Sequence, residues 1–202
     1  MNHAMLDLET LSTRSDAKVL SLGVAIFNET SVLATDGWAI KLDDDVGGHV
    51  DWKTVKWWME QEPAAREFSW QGQITNAVAA MNFKSMLAMY GIETGKDSSN
   101  EVWSNDPHFD HTIAENWWHR INAAAMVRGS SSLHVGDFPV SYRQPRSYRT
   151  LVNEARALGY DPEYDRGVYV AHNPIDDAAS QARVVIAARQ FIRGLHRPEI
   201  LR

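Results

Sequence analysis

Two acids stand two residues apart at the end of the first apolar stretch, Asp7 and Glu9 in Met5-Leu-Asp-Leu-Glu9. Successive side chains on a strand point to opposite faces, so both carboxylates leave one face while Leu6 and Leu8 enter the other. Carboxylates this close repel each other unless a cation sits between them, and hard divalent ions such as magnesium or manganese take carboxylate oxygens. Two later stretches place the same group at matching points. In Asn105-Asp-Pro-His-Phe-Asp110 and His172-Asn-Pro-Ile-Asp-Asp177, a capping residue (Asp106, Asn173) precedes a proline, and an aspartate follows three residues after that proline. The pattern predicts a helix start with Pro at its first position and Asp110 or Asp177 leaning back toward the helix mouth.

Taken singly, an Asp-x-Glu pair can lie on an exposed strand, and an aspartate in a first turn can merely complement the helix dipole, worth about 0.3–1 kcal/mol. Taken together, Asp7, Glu9, Asp110 and Asp177 could converge on one pocket with His172 at its rim, because strand-to-helix junctions are where α/β sheets form sites. Four acids in one pocket cannot all stay ionised without cations. Two divalent ions roughly 3.5–4 Å apart would satisfy them and clamp a phosphodiester for in-line attack, with an imidazole that titrates near ~6.5 as proton acceptor. The residues leave two alternatives open: a catalytically silent nucleic-acid- or protein-binding domain, or an unrelated α/β domain in which the acids are caps lying far apart.

The elements that must position these groups follow from periodicity. The first strand is followed by a β-branched run at 19–27 and an alternating one at 37–42, an antiparallel meander that supports Asp7 and Glu9 on an inner strand. Helices are predicted over 52–61, 63–69 and 74–90, the last with Ile74, Val78, Met81 and Leu87 or Met89 as its buried stripe. A short buried strand at 102–104 leads into a helix over 105–127. The Gly- and Ser-rich stretch 129–137 reads as a disordered loop or a flexible lid, 93–100 as a polar mobile segment, 148–158 as a helix, 167–171 as the last strand, and 174–194 as the final helix. The order predicts an α/β domain spanning 1–202, with a mixed sheet flanked by helices.

Composition narrows the functions. The 202 residues are 44% hydrophobic and 23% charged, and no apolar run approaches the ~20 residues of a membrane span. Absent cysteine removes disulfides and thiolate-bound metals and fits a reducing compartment. The net charge of −6 argues against a broad basic face gripping long nucleic acid, though not against an enzyme handling one chain end. Six of the eight tryptophans, at 52, 57, 58, 70, 117 and 118, read as helix-packing residues.

At this point the residues resemble a family. Asp7-Leu-Glu-Thr10, Asn105-x-x-x-Phe-Asp110 and His172-x-x-x-x-Asp177, in that order, are similar to the three motifs of the DEDDh 3′-5′ exonucleases, whose fold is RNase H-like. Met1 to Thr10 and the Trp57-Trp58 helix look closer still to its phage and prophage branch, which is similar to a phage single-strand DNA exonuclease and to a mycobacterial exoribonuclease. Pro174 departs from the alanine many members carry there, and implies an abrupt helix start; Asp176 competes with Asp177 as fourth ligand, and motif spacing favours Asp177. The resemblance implies two Mg2+ or Mn2+ ions, with Asp7 bridging both, Glu9 and Asp177 on the first and Asp110 meeting the second mainly through water. It makes His172 the general base. Thr10 and Leu11 would meet the terminal sugar or wedge the last base, and the product would be a nucleoside 5′-monophosphate from the 3′ end of single-stranded DNA or RNA. It further implies a homodimer in the cytoplasm of a bacterium or phage-infected host. Arg143, Arg146 and Arg149 are candidates for backbone phosphates, while His3, His108, His111 and His134 read as structural or surface residues.

Overall fold

A computed structural model of the chain describes residues 1–93, 98–167 and 169–195. Its centre is β1 (His3–Thr10), buried along its whole length. β2 (Val19–Phe27) and β3 (Val32–Ala39) continue the antiparallel meander on one side, and β4 (Val102–Ser104) and β5 (Pro145–Ser147) run parallel on the other, giving the order β3-β2-β1-β4-β5. The helices are α1 (Trp52–Glu60), α2 (Pro63–Gln71), α3 (Asn76–Met89), α4 (Asp110–Val127), α5 (Tyr148–Ala157) and α6 (Pro174–Leu195). The expected mixed sheet flanked by helices is present.

The alternation along β1 divides the core. Ala4, Leu6 and Leu8 enter a cluster with Phe83 of α3 and Ile113, Trp117 and Trp118 of α4. Met5 enters the opposite cluster, with Tyr148 of α5 and Ala178, Ala182 and Val185 of α6. Asp7 and Glu9 share the Met5 face, so they rise toward α6. Gly23, paired with Asp7 across the β1–β2 ladder, permits that approach, since a Cβ there would lie 2.0 Å from the Pro174 carbonyl oxygen.

Several expectations need correction. The third strand lies at 32–39 rather than 37–42, because the turn in which Asn28 Oδ1 accepts from Thr30 and Ser31 N–H sets Val32 opposite Phe27. Residues 169–171 form no strand. Gly167 has φ +73°, His172 has φ 66°, and Asp176 and Asp177 accept the backbone N–H groups of Val170 and His172, so the chain turns into α6. The fifth strand is instead 145–147, at the sheet edge, where a proline costs no ladder bond. α4 begins at Asp110, after a turn through 106–109, rather than at 105.

The stripe expected over 74–90 holds at Ile74, which packs against the core, and at buried Leu87, but on α3 Val78 and Met81 are 43% and 50% exposed and Met89 78%, and Ala77, Ala79, Ala80 and Phe83 are buried in their place. The alanines let the helix sit close to its neighbours, and Trp117 Nε1 donates to the buried Asn76 Oδ1 at 2.6 Å. The stretch 129–137 is a strap rather than a lid. Val135 is buried and its N–H donates to Asn122 Oδ1, while Gly136 O accepts from Trp118 Nε1 at 2.7 Å. Of the segment expected to be mobile, 94–97 lies outside the described residues.

Candidate metal centre

The site is assembled where β1 ends. The parallel ladder with β4 stops at Leu6↔Ser104, leaving the N–H of Leu8 beyond it. Asp110, first residue of α4, takes that donor with Oδ1 at 3.3 Å, and its Oδ2 accepts from Asp106 N at 3.2 Å, which folds its carboxylate back over the strand end. From the other side α6 delivers Asp177, whose Oδ2 accepts from His172 N at 2.7 Å. Ligand atoms of Glu9, His172 and Asp177 all lie within 4.8 Å of one another, and His172 Nδ1 is 3.9 Å from Glu9 Oε1.

α1 closes the remaining side. Trp58 is fully buried against Leu11 and Leu20, and its Nε1 donates to Thr10 O at 2.9 Å, fixing the helix beside the strand end. Trp57 meets the His172 ring edge-on, with centroids 4.8 Å apart and planes at 87°. The result is a cavity of about 860 Å³ lined by Asp7, Glu9, Asp110, Asp177, His172 and Thr10. Leu11 does not line it, because its side chain is spent in the packing under α1. Asp176 is also absent from the lining, its carboxylate being engaged by Val170 N.

A model of the Rv2179c-like 3′-5′ exoribonuclease domain matches residues 2–188. The chain belongs to this family. No curated protein is matched by the sequence. Among solved structures it is similar to zinc-bound E. coli ExoI in complex with single-stranded DNA, at 13% identity and TM-score 0.55, over 96% of this chain and 41% of that one. An exonuclease I from Methylocaldum szegediense matches at 12% identity and TM-score 0.56, over 98% and 41%. The nuclease domain of 3′hExo bound to rAMP, a DEDDh family member, matches at 11% identity and TM-score 0.54, over 94% and 92%. The fold is therefore RNase H-like, and the chain spans about two fifths of the length of the exonuclease I structures.

The carboxylates of this Rv2179c-like domain are desolvated and crowded together. Burial, then the neighbouring charges of Asp110 and Asp177, hold the Asp7 carboxyl well above the usual range. Glu9 is raised likewise by burial and then by Asp7, Asp177 and Asp110. Burial pushes Asp110 up to about 7 against its backbone hydrogen bonds, and also raises Asp177. Without cations the cluster relieves its repulsion by holding protons. Carboxylate oxygens at this density fit divalent magnesium or manganese.

The other candidates separate cleanly. Of the three arginines only Arg149 lines the cavity; Arg146 pairs with Glu101 at 3.3 Å and Arg143 lies over the Tyr142 ring. His3 is buried between Glu29 and Glu101, and His111 is buried with Nδ1 3.0 Å from Ser104 Oγ and pushed down to about 4 by burial. His108 is exposed, and His134 Nδ1 accepts from Gly136 N. Residues that reasoning from the sequence missed include Lys53, Arg166 and Tyr169 on the wall, and Gln181, whose Nε2 donates to Asp7 Oδ1 at 3.0 Å. Only Gln181 carried a signal, the i, i+4 spacing from Asp177 that puts both on one helix face.

Proposed function

We propose that the protein is a metal-dependent 3′-5′ exonuclease that removes nucleoside 5′-monophosphates from single-stranded RNA or DNA. The observation that carries this reading is the meeting of Asp7, Glu9, Asp110, Asp177 and His172 around one cavity, from three separate stretches of chain. Acids serving only as scattered caps would not meet. Family membership favours RNA as the first substrate to try.

In this reading Asp7, Glu9, Asp110 and Asp177 would hold divalent magnesium or manganese. The ions, when bound, neutralise the acids and supply the positive charge that stabilises the attacking and leaving oxygens. His172 accepts the proton of the attacking water; the nitrogen nearest the acids is Nδ1. The water oxygen bonds to the terminal phosphorus, the bond to the O3′ of the preceding nucleotide breaks, and that O3′ takes a proton from solvent. Trp57 and Trp58 flank the imidazole and limit its rotation. Thr10 lines the cavity next to Glu9, within reach of a terminal sugar. Lys53, Arg149 and Arg166 on the wall offer positive charge to the backbone of an entering strand.

The branch shared with phage and prophage enzymes belongs to the same proposal, supported by the residues around Asp7 and the Trp57-Trp58 helix; a homodimer and a cytoplasmic setting join it on the family resemblance and on the absence of cysteine. The test is incubation of 5′-labelled RNA and DNA oligonucleotides with magnesium or manganese. Stepwise shortening from the 3′ end is expected; no shortening with either metal removes the assignment.

A further inference from the structure

We propose that Gln181 is a positioning residue for Asp7: its amide holds that carboxylate in register for divalent cations while adding no charge of its own. The inference rests on the metal-dependent reading above. Gln181 lies one helical turn beyond Asp177 on α6, on the same face, and lines the same cavity. Its Nε2 donates to Asp7 Oδ1 at 3.0 Å, joining residues 174 apart in sequence.

The orientation of the amide follows from the charge that cations require on Asp7. With that carboxylate ionised, a flipped side chain would put Oε1 against a carboxylate oxygen, two acceptors face to face, so Nε2 faces Asp7. That leaves Oε1 buried without a protein partner, an acceptor available to a hydroxyl or water brought in with substrate. Asp110 is held by backbone N–H groups and Asp177 by His172 N, but Gln181 is the side-chain donor given to Asp7.

The residue type matters. A lysine or arginine at this point would also bind Asp7, but would neutralise charge the cations need and occupy space they require. A carboxamide restrains the carboxylate and leaves its charge intact. Partners of this kind around a metal ligand typically change affinity about 10–100-fold when removed.

The experiment is calorimetric titration of the whole protein with manganese at one fixed pH, for wild type, Gln181→Met and Gln181→Asn. Methionine keeps the length without the hydrogen bond, and asparagine keeps the amide but falls a methylene short of Asp7. Melting curves in EDTA identify a variant that does not fold, in which case the other decides. Both are expected to bind manganese about 10–100-fold more weakly, and oligonucleotide shortening is expected to recover as manganese is raised. Gln181→Lys is expected to melt higher than wild type in EDTA and to take up no manganese. Folded Met or Asn variants whose titration superimposes on wild type overturn the role of Gln181 alone. A wild type that binds no manganese overturns the metal-dependent reading and this proposal with it.

Discussion

The backbone N–H of His172 donates to Asp177 Oδ2 at 2.7 Å, so the aspartate that faces the cavity also closes the turn that aims the histidine. His172 sits at φ 66°, a left-handed conformation that costs a non-glycine residue about 1–3 kcal/mol. The five-residue spacing between the two thus has a structural reason independent of any metal. Asp177→Asn retains an acceptor and Asp177→Ala does not, while both lose the charge. Both should abolish nucleotide release. In EDTA the alanine variant should be less stable than the asparagine variant by about 1–3 kcal/mol, read from urea unfolding; equal stabilities would deny the hydrogen bond its role.

Gly23 should be intolerant of the smallest side chain. A Cβ there would meet the Pro174 carbonyl oxygen at 2.0 Å, and the three nearest atoms are all backbone. Gly23→Ala must therefore shift the start of α6, and with it His172 and Asp177. A destabilisation of about 1–3 kcal/mol and a loss of rate up to about a hundredfold are expected. A variant with wild-type kinetics and melting temperature would mean that α6 is not seated by this contact.

Asp110 predicts how the metal-free protein responds to pH. Its carboxyl is raised by burial to about 7, against roughly 3.9 in an unfolded chain. The fold therefore favours the protonated form; the contribution is fully present below pH ~4 and is lost as pH rises through about 7. His111, lowered to about 4, and His3, also lowered, act in the opposite sense and weaken the fold as pH falls below ~6.5. Asp110→Asn removes the first effect, together with the charge that helps raise Asp7 and Glu9, and leaves the histidines as they are. In EDTA, the variant's stability relative to wild type should climb between pH 5 and pH 8, by an amount on the order of a few kcal/mol. Manganese at pH 8 should raise the wild-type melting temperature more than that of the variant. A relative stability flat with pH would contradict the burial of this carboxyl.

Trp57 should matter to rate through His172. Its edge-on contact at 4.8 Å limits the movement of the imidazole, and the indole is also part of the cavity wall. Trp57→Ala is expected to lower kcat/KM about 10–100-fold, with Trp57→Phe recovering most of it. Steady-state kinetics on a short oligonucleotide gives the comparison. An alanine variant as fast as wild type would leave the indole without a catalytic connection.

The parts of the fold legible in the sequence are those governed by short-range periodicity. The two-residue period put Asp7 and Glu9 on one face of β1, and the proline and acid pattern placed Asp177 in the first turn of α6. The same logic failed where a distant partner decided the outcome. Val78 and Met81 look like the buried stripe of α3, yet Ala79 and Ala80 are the residues small enough for its close packing. The apolar segment 167–171 resembles a strand in sequence, but the carboxylates of Asp176 and Asp177 turn residues 169–171 toward α6. Meanwhile 145–147 joins the sheet by pairing with β4, and carries little apolar signal of its own.

For the site, the chain by itself determined which groups are available and how each sits on its own element, since backbone geometry acts over a few residues. Only the tertiary structure decided that Asp110 would claim the free N–H of Leu8, that Leu11 would be buried under Trp58, and that Gln181 would reach Asp7. It also set the raised titration of the acids, because desolvation and mutual repulsion depend on through-space distances between residues more than a hundred positions apart.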